Sequence, residues 1–112
     1  MDLVCRLTTV GDLAVLQVNG EIDLATLPLL RDHLSRAIGE HPGTTVHVDL
    51  DGVTALDDTG LGMLLGAAGQ AREHGGDLVL VCTNDRLLQR FELTGLTRAV
   101  TVKASLVVRP GA

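Results

Sequence analysis

Within the stretch 49–69 the hydrophobic period of the chain changes, and that change limits the folds open to it. Ahead of it, Val46-His47-Val48-Asp49-Leu50 reads as an apolar strand. Behind it, Leu61, Leu64, Leu65 and Ala68 recur at i, i+3, i+4 and i+7, the spacing of one buried helical face. Between the two lies an acidic turn that carries Thr59. Asp57 and Asp58 are candidates to cap the helix, because a short carboxylate accepts hydrogen bonds from the unpaired amides of a first turn. Gly60 and Gly62 stand where good helix formers are preferred, which suggests that something approaches the backbone closely there. A hydroxyl at a helix N-terminus is placed where an added phosphate meets free amides and the positive end of the helix dipole.

The rest of the chain fits around this unit. Runs at 3–9 and 13–18 read as two strands joined by Val10-Gly11-Asp12, a tight hairpin turn. A helix is expected from Thr26 or Pro28 to Ile38, with Leu27, Leu30, Leu34 and Ile38 on one face, ended by Gly39 and His41-Pro42-Gly43. The third strand is expected over 45–50 and the central helix over 59–73, closed by Gly75-Gly76. A fourth strand at 78–82 precedes a helix capped by Asn84 or Asp85, with Leu87, Leu88 and Phe91 inward. Gly95 breaks that helix, and 99–102 reads as a fifth strand. This order predicts one α/β domain over 1–112. Its mixed sheet should have four to five strands, with the helices mainly on one face and 103–112 as a short or frayed tail.

Composition narrows the function. A net charge of −5, with one Phe and no Trp or Tyr, argues against nucleic-acid binding, which needs a basic face and stacking platforms. No apolar run has the length of a membrane span, and the N-terminus lacks the pattern of a signal peptide, so a cytoplasmic location is expected. Cys5 and Cys82 each fall in a predicted strand and read as small buried hydrophobes. His33, His41, His47 and Thr26 have no spacing that suggests a metal site or catalysis. His47 reads as a satisfied core or face residue, and His74 as a helix-end residue favoured by the dipole.

Four features together resemble one family. They are Gly20-Glu21-Ile22-Asp23 closing the second strand, Val48-Asp49-Leu50 in the third, Asp57-Asp58-Thr59-Gly60-Leu61-Gly62 opening the central helix, and Gly75-Gly76 before the fourth strand. Leu93-Thr94-Gly95-Leu96 also fits. The chain resembles the STAS domain family, specifically the bacterial anti-sigma factor antagonists. The resemblance implies a non-catalytic switch without cofactor or metal. Its phosphoacceptor is Thr59, with Asp23, Asp57 and Asp58 as acidic neighbours. Many relatives carry a serine at the acceptor and another before it, where this chain has Thr59 and Asp58. The implied partner is an anti-sigma factor with a kinase fold, which binds the unphosphorylated form and is released on phosphorylation. Leu61 and Met63 are candidate partner contacts, and a phosphatase would reset the switch.

Other readings remain open. A STAS subunit of a transport or scaffold complex needs no modification of Thr59. Val46-His47-Val48-Asp49-Leu50-Asp51-Gly52-Val53 resembles the opening motif of haloacid-dehalogenase-like phosphotransferases, yet no acidic residue follows Glu92 to complete a Mg²⁺ site. Leu56-Asp57-Asp58-Thr59-Gly60 suggests an aspartic protease, which the helical period after Gly60 opposes.

Overall fold

A computed structural model describes residues 2–106. Strands β1 (Leu3–Val10) and β2 (Leu13–Ile22) form an antiparallel hairpin. Its two-residue turn places Gly11 at φ 60°, a conformation that glycine reaches without a steric penalty. Helix α1 (Leu27–Glu40) leads to β3 (Thr45–Leu56), α2 (Asp58–Glu73) to β4 (Asp77–Val81), and α3 (Asp85–Leu93) with a 3₁₀ turn (Leu96–Arg98) to β5 (Thr101–Lys103). The sheet order is β1-β2-β3-β4-β5, with every pairing after the hairpin parallel. Each crossover therefore steps one strand in the same direction, and right-handed connections then put their helices on one face.

Alternation along the strands confirms the layering. Leu7, Leu16, Val48, Leu80 and Val102 form one row across the five strands. They share a single core with Leu30, Leu34, Leu64, Ala68 and Phe91 from the helices. The next row, Thr8, Val15, His47, Val79 and Thr101, points the other way. Val15, His47 and Val79 are buried there but lie outside the helix-packed core. His47 is only partly satisfied: backbone groups of Ala14 and Thr45 act on its ring. Its Nδ1 is buried with no hydrogen-bond partner among the described residues, and burial pushes its pKa down.

Several expectations shift in extent. The third strand does not stop at Leu50 but continues through Asp51-Gly52 to Leu56. β2 also continues, to Ile22, and the pair absorbs the mismatch in two register shifts. A Cβ on Gly52 would lie 1.7 Å from Oδ1 of Asn19, so a larger residue there would have to displace that exposed side chain. Gly39 lies inside α1, which runs on to Glu40. Leu65, placed on the buried face of α2 by its spacing, is 40% exposed, and Ala67 and Ala71 take up burial instead. Strand β5 begins at Thr101, since Leu96–Arg98 is helical and Ala99 caps that turn. Cys82 is buried just beyond β4, while Cys5 is half-buried, and burial raises both thiol pKa values. Of the expected tail, 107–112 lies outside the described residues.

The end of α2 closes as glycine-terminated helices do. The Gly75 amide donates to Arg72 O at 3.0 Å and the Gly76 amide to Ala71 O at 2.9 Å, with Gly75 at φ 81°. His74 is the C-cap, and its Nδ1 lies 2.8 Å from Gln70 O.

Candidate functional site

The ends of β2 and β3 set the site. Ile22 pairs with Leu56, and the next amide, that of Asp57, donates to Ile22 O at 3.2 Å. Asp23 and Asp57 therefore leave neighbouring strand ends together. Asp57 is the N-cap of α2: its Oδ1 accepts from the Gly60 amide at 3.1 Å. The same oxygen accepts from Thr59 Oγ1 at 2.5 Å. Thr59 is exposed on the first turn of the helix. The Thr59 hydroxyl, first, and the Gly60 amide, second, hold the Asp57 carboxyl below its ordinary range. Arg90 also acts on Asp57 through its charge.

The other acidic residues take different roles. Asp58, in the first turn, is not the cap; its side chain is 90% exposed and its Oδ1 lies 2.7 Å from Arg90 Nη2. Asp23 Oδ1 accepts from the amides of Ala25 and Thr26 at 3.0 and 3.1 Å. It thus holds the loop into α1, and its place near Thr59 comes from the paired strand ends, not from a contact between the two. Thr26 is buried and donates to Glu21 O at 2.9 Å, a structural role.

The two glycines differ. A Cβ on Gly60 would lie 2.5 Å from Leu56 Cδ1 and 2.6 Å from Ile22 Cγ2, so the core beneath it demands glycine. Gly62 is exposed with open space where its Cβ would be, which leaves backbone accessible on the outer side of the helix. Leu61, expected as a partner contact, is 5% exposed and packs into the core, because it follows Gly60 on the inward face. Met63 is partly buried and lines an apolar groove between α1 and α2 with Leu34, Ser35, Gly66 and Ala67.

Two residues at this site had no marker in the sequence. Leu24, just beyond β2 and beside Asp23, is 73% exposed. Arg90 comes from α3, across 32 residues of chain. Away from this corner, Asp49 and Asp51 line a polar depression with Gln17 and Asn19. Asp51 Oδ1 is occupied by the Thr83 amide at 2.6 Å and the Thr83 hydroxyl at 2.9 Å. Among the described residues, no group of three or more His, Cys, Asp or Glu side chains is arranged to hold a metal ion. Nor is any helix among them long and apolar enough to cross a membrane.

Known proteins resemble this arrangement in sequence and in shape. A family model described as STAS domain matches residues 5–107. A protein of Listeria monocytogenes named anti-sigma-B factor antagonist is 37% identical over 86 residues, covering 77% of this chain and 75% of its own. The crystal structure of an anti-sigma factor antagonist from Mycobacterium paratuberculosis superposes with a TM-score of 0.83 at 23% identity, over 94% of this chain and 88% of that one. The Bacillus cell fate determinant SpoIIAA, solved in its phosphorylated form, superposes with a TM-score of 0.66 at 21% identity, over 91% and 93% of the two chains.

Proposed function

The chain belongs to the STAS domain family, and from that premise we propose that it is an anti-sigma factor antagonist switched by phosphorylation of Thr59. The observation that carries this reading is the Thr59 hydroxyl, exposed at the start of α2 and held at 2.5 Å by the capping carboxylate of Asp57. In the unphosphorylated state the corner around Asp23, Leu24, Thr59 and Gly62 docks onto an anti-sigma factor of kinase fold, which then lets go of its sigma factor. The chain itself is no enzyme. It offers an oriented acceptor, and the partner brings ATP, Mg²⁺ and the base.

In the transfer, Thr59 Oγ1 attacks the γ-phosphorus of ATP. The bond from that phosphorus to the bridging oxygen breaks, ADP departs, and the hydroxyl proton passes to the partner's base. Asp57 keeps the hydroxyl pointed outward until then. The new group adds roughly −1.5 to −2 charge at pH 7. The positive end of the helix dipole can accommodate it without unwinding α2. The interface, however, must desolvate this charge beside Asp57 and Asp58, and each ~1.4 kcal/mol of that cost is tenfold in affinity. Release follows from exclusion at the surface, and a phosphatase restores the binding form. The cytoplasm, where sigma factors work, is the matching location.

The test is reconstitution with the cognate kinase-fold partner and ATP. Mass spectrometry should place one phosphate on Thr59, and calorimetry should show binding lost with it, while Thr59→Ala stays bound and unmodified. Phosphate on Thr54 or Thr94 instead, or unchanged affinity after full modification, would sink the reading.

A further inference from the structure

Phosphate on Thr59 creates a charge problem at this corner. Asp57 Oδ1 loses the hydroxyl proton it now accepts, and Asp58 is the adjacent residue. We propose that Arg90 receives this phosphate: its guanidinium turns from Asp58 to the phosphoryl oxygens of phosphorylated Thr59. The inference rests on the acceptor role of Thr59 and adds the residue that stabilises the modified state.

The geometry favours the exchange. Arg90 Nη2 lies 2.7 Å from Asp58 Oδ1, one residue from the acceptor. The two partners are unequally held. The Asp58 side chain is 90% exposed, whereas that of Arg90 is 32% exposed. Helix α3 fixes the arginine's base, since Asn84 caps it through the Arg86 and Leu87 amides and Phe91 is fully buried. An exposed carboxylate on a mobile side chain holds an arginine weakly. A phosphate carries nearly twice the charge and offers three oxygens to the planar fork of guanidinium donors, a pairing that is commonly bidentate. Arg90 already acts on Asp57 as well as Asp58, so its charge reaches both acidic residues that precede Thr59. Phosphorylation would then link the start of α2 to α3 and release Asp58 to solvent.

The experiment places phosphothreonine at position 59 of the full chain by genetic encoding and follows its second ionisation, ordinarily near ~6, by ³¹P NMR titration. A paired cation favours the dianion, so Arg90→Gln should raise that pKa by about half a unit or more. Arg90→Lys should recover part of the difference, because it keeps charge but not the fork. Arg6→Gln, on the opposite face of the sheet, should leave the value unchanged. The Arg90 Nε–H resonance should move on phosphorylation of the otherwise unaltered chain. An unaltered phosphate pKa in Arg90→Gln would overturn the proposal, and so would an equal shift in Arg6→Gln, which would indicate a diffuse field. Because the phosphate is installed without any partner, this result is independent of whether a kinase modifies Thr59. Failure of the kinase assay counts against the switch, and failure here counts against Arg90.

Discussion

Asp57 Oδ1 holds the Thr59 hydroxyl and the Gly60 amide at once, at 2.5 and 3.1 Å, so the helix cap and the proposed acceptor share a single oxygen atom. This gives the corner a defined pH response. Both contacts favour the carboxylate, and the folded pKa of Asp57 lies below its ordinary value of 3.8. Its contribution to stability is therefore complete above the unfolded pKa and is lost as pH falls through the lower folded value. Thr59→Ala removes the larger cause, so the Asp57 pKa should rise toward 3.8 while the Gly60 contact keeps it somewhat low. Carboxyl ¹³C NMR titration of both proteins measures this. No difference between them would contradict the shared-oxygen arrangement.

The two glycines of the first turns of α2 should respond in opposite ways. Gly60→Ala drives a methyl into Ile22 and Leu56 and should cost about 1–3 kcal/mol. Gly62→Ala meets open space and should gain up to ~1 kcal/mol from helix propensity. Urea denaturation separates the two. If the outer side of α2 is a docking surface, Gly62→Ala should also bind the partner more weakly while folding more stably.

Phe91 is the sole aromatic residue and is fully buried among aliphatic side chains. Phe91→Ala should destabilise the domain by about 3–5 kcal/mol, because the neighbouring strands and helices cannot close the space. The loss should appear in the denaturation midpoint with little change in the denaturant slope.

Leu24 is 73% exposed beside the acidic corner, and its removal leaves no cavity. Leu24→Asp should leave the melting temperature within experimental error. It should nevertheless weaken the anti-sigma factor complex by about tenfold or more, as expected when an exposed apolar anchor becomes a charge at an interface. Titration calorimetry checks this, and unaltered affinity would remove Leu24 from the docking surface.

What could be read in the sequence was local. The cap Asp57 and its bond to Gly60 span three residues, and the buried faces of α1 and α3 follow the helical period, so both were legible before any coordinates. The hairpin turn and the Gly75-Gly76 stop were legible for the same reason. Strand β3 was cut short because Asp51-Gly52 has the composition of a turn. Only its partner β2, with matching irregularities, keeps that segment extended. Leu61 looked like a contact because it adjoins the acceptor, but helical phase turns it inward. Arg90 reaches Asp58 across 32 positions, and no pattern within one element encodes such a pairing.

The fit of Gly60 over Ile22 and Leu56 has a consequence for rate. The backbone next to Thr59 rests directly on two core side chains, so the interior of the domain would set the position of the proposed acceptor oxygen. Misplacement of a reacting group by ~1 Å can cost about 100-fold in rate. Substitutions at positions 22 and 56 that preserve the fold would then behave as kinetic mutations of a reaction whose catalytic groups lie in another protein. If Thr59 is the acceptor, as proposed, the tempo of the switch would be tuned from within the hydrophobic core, by buried residues away from the docking surface.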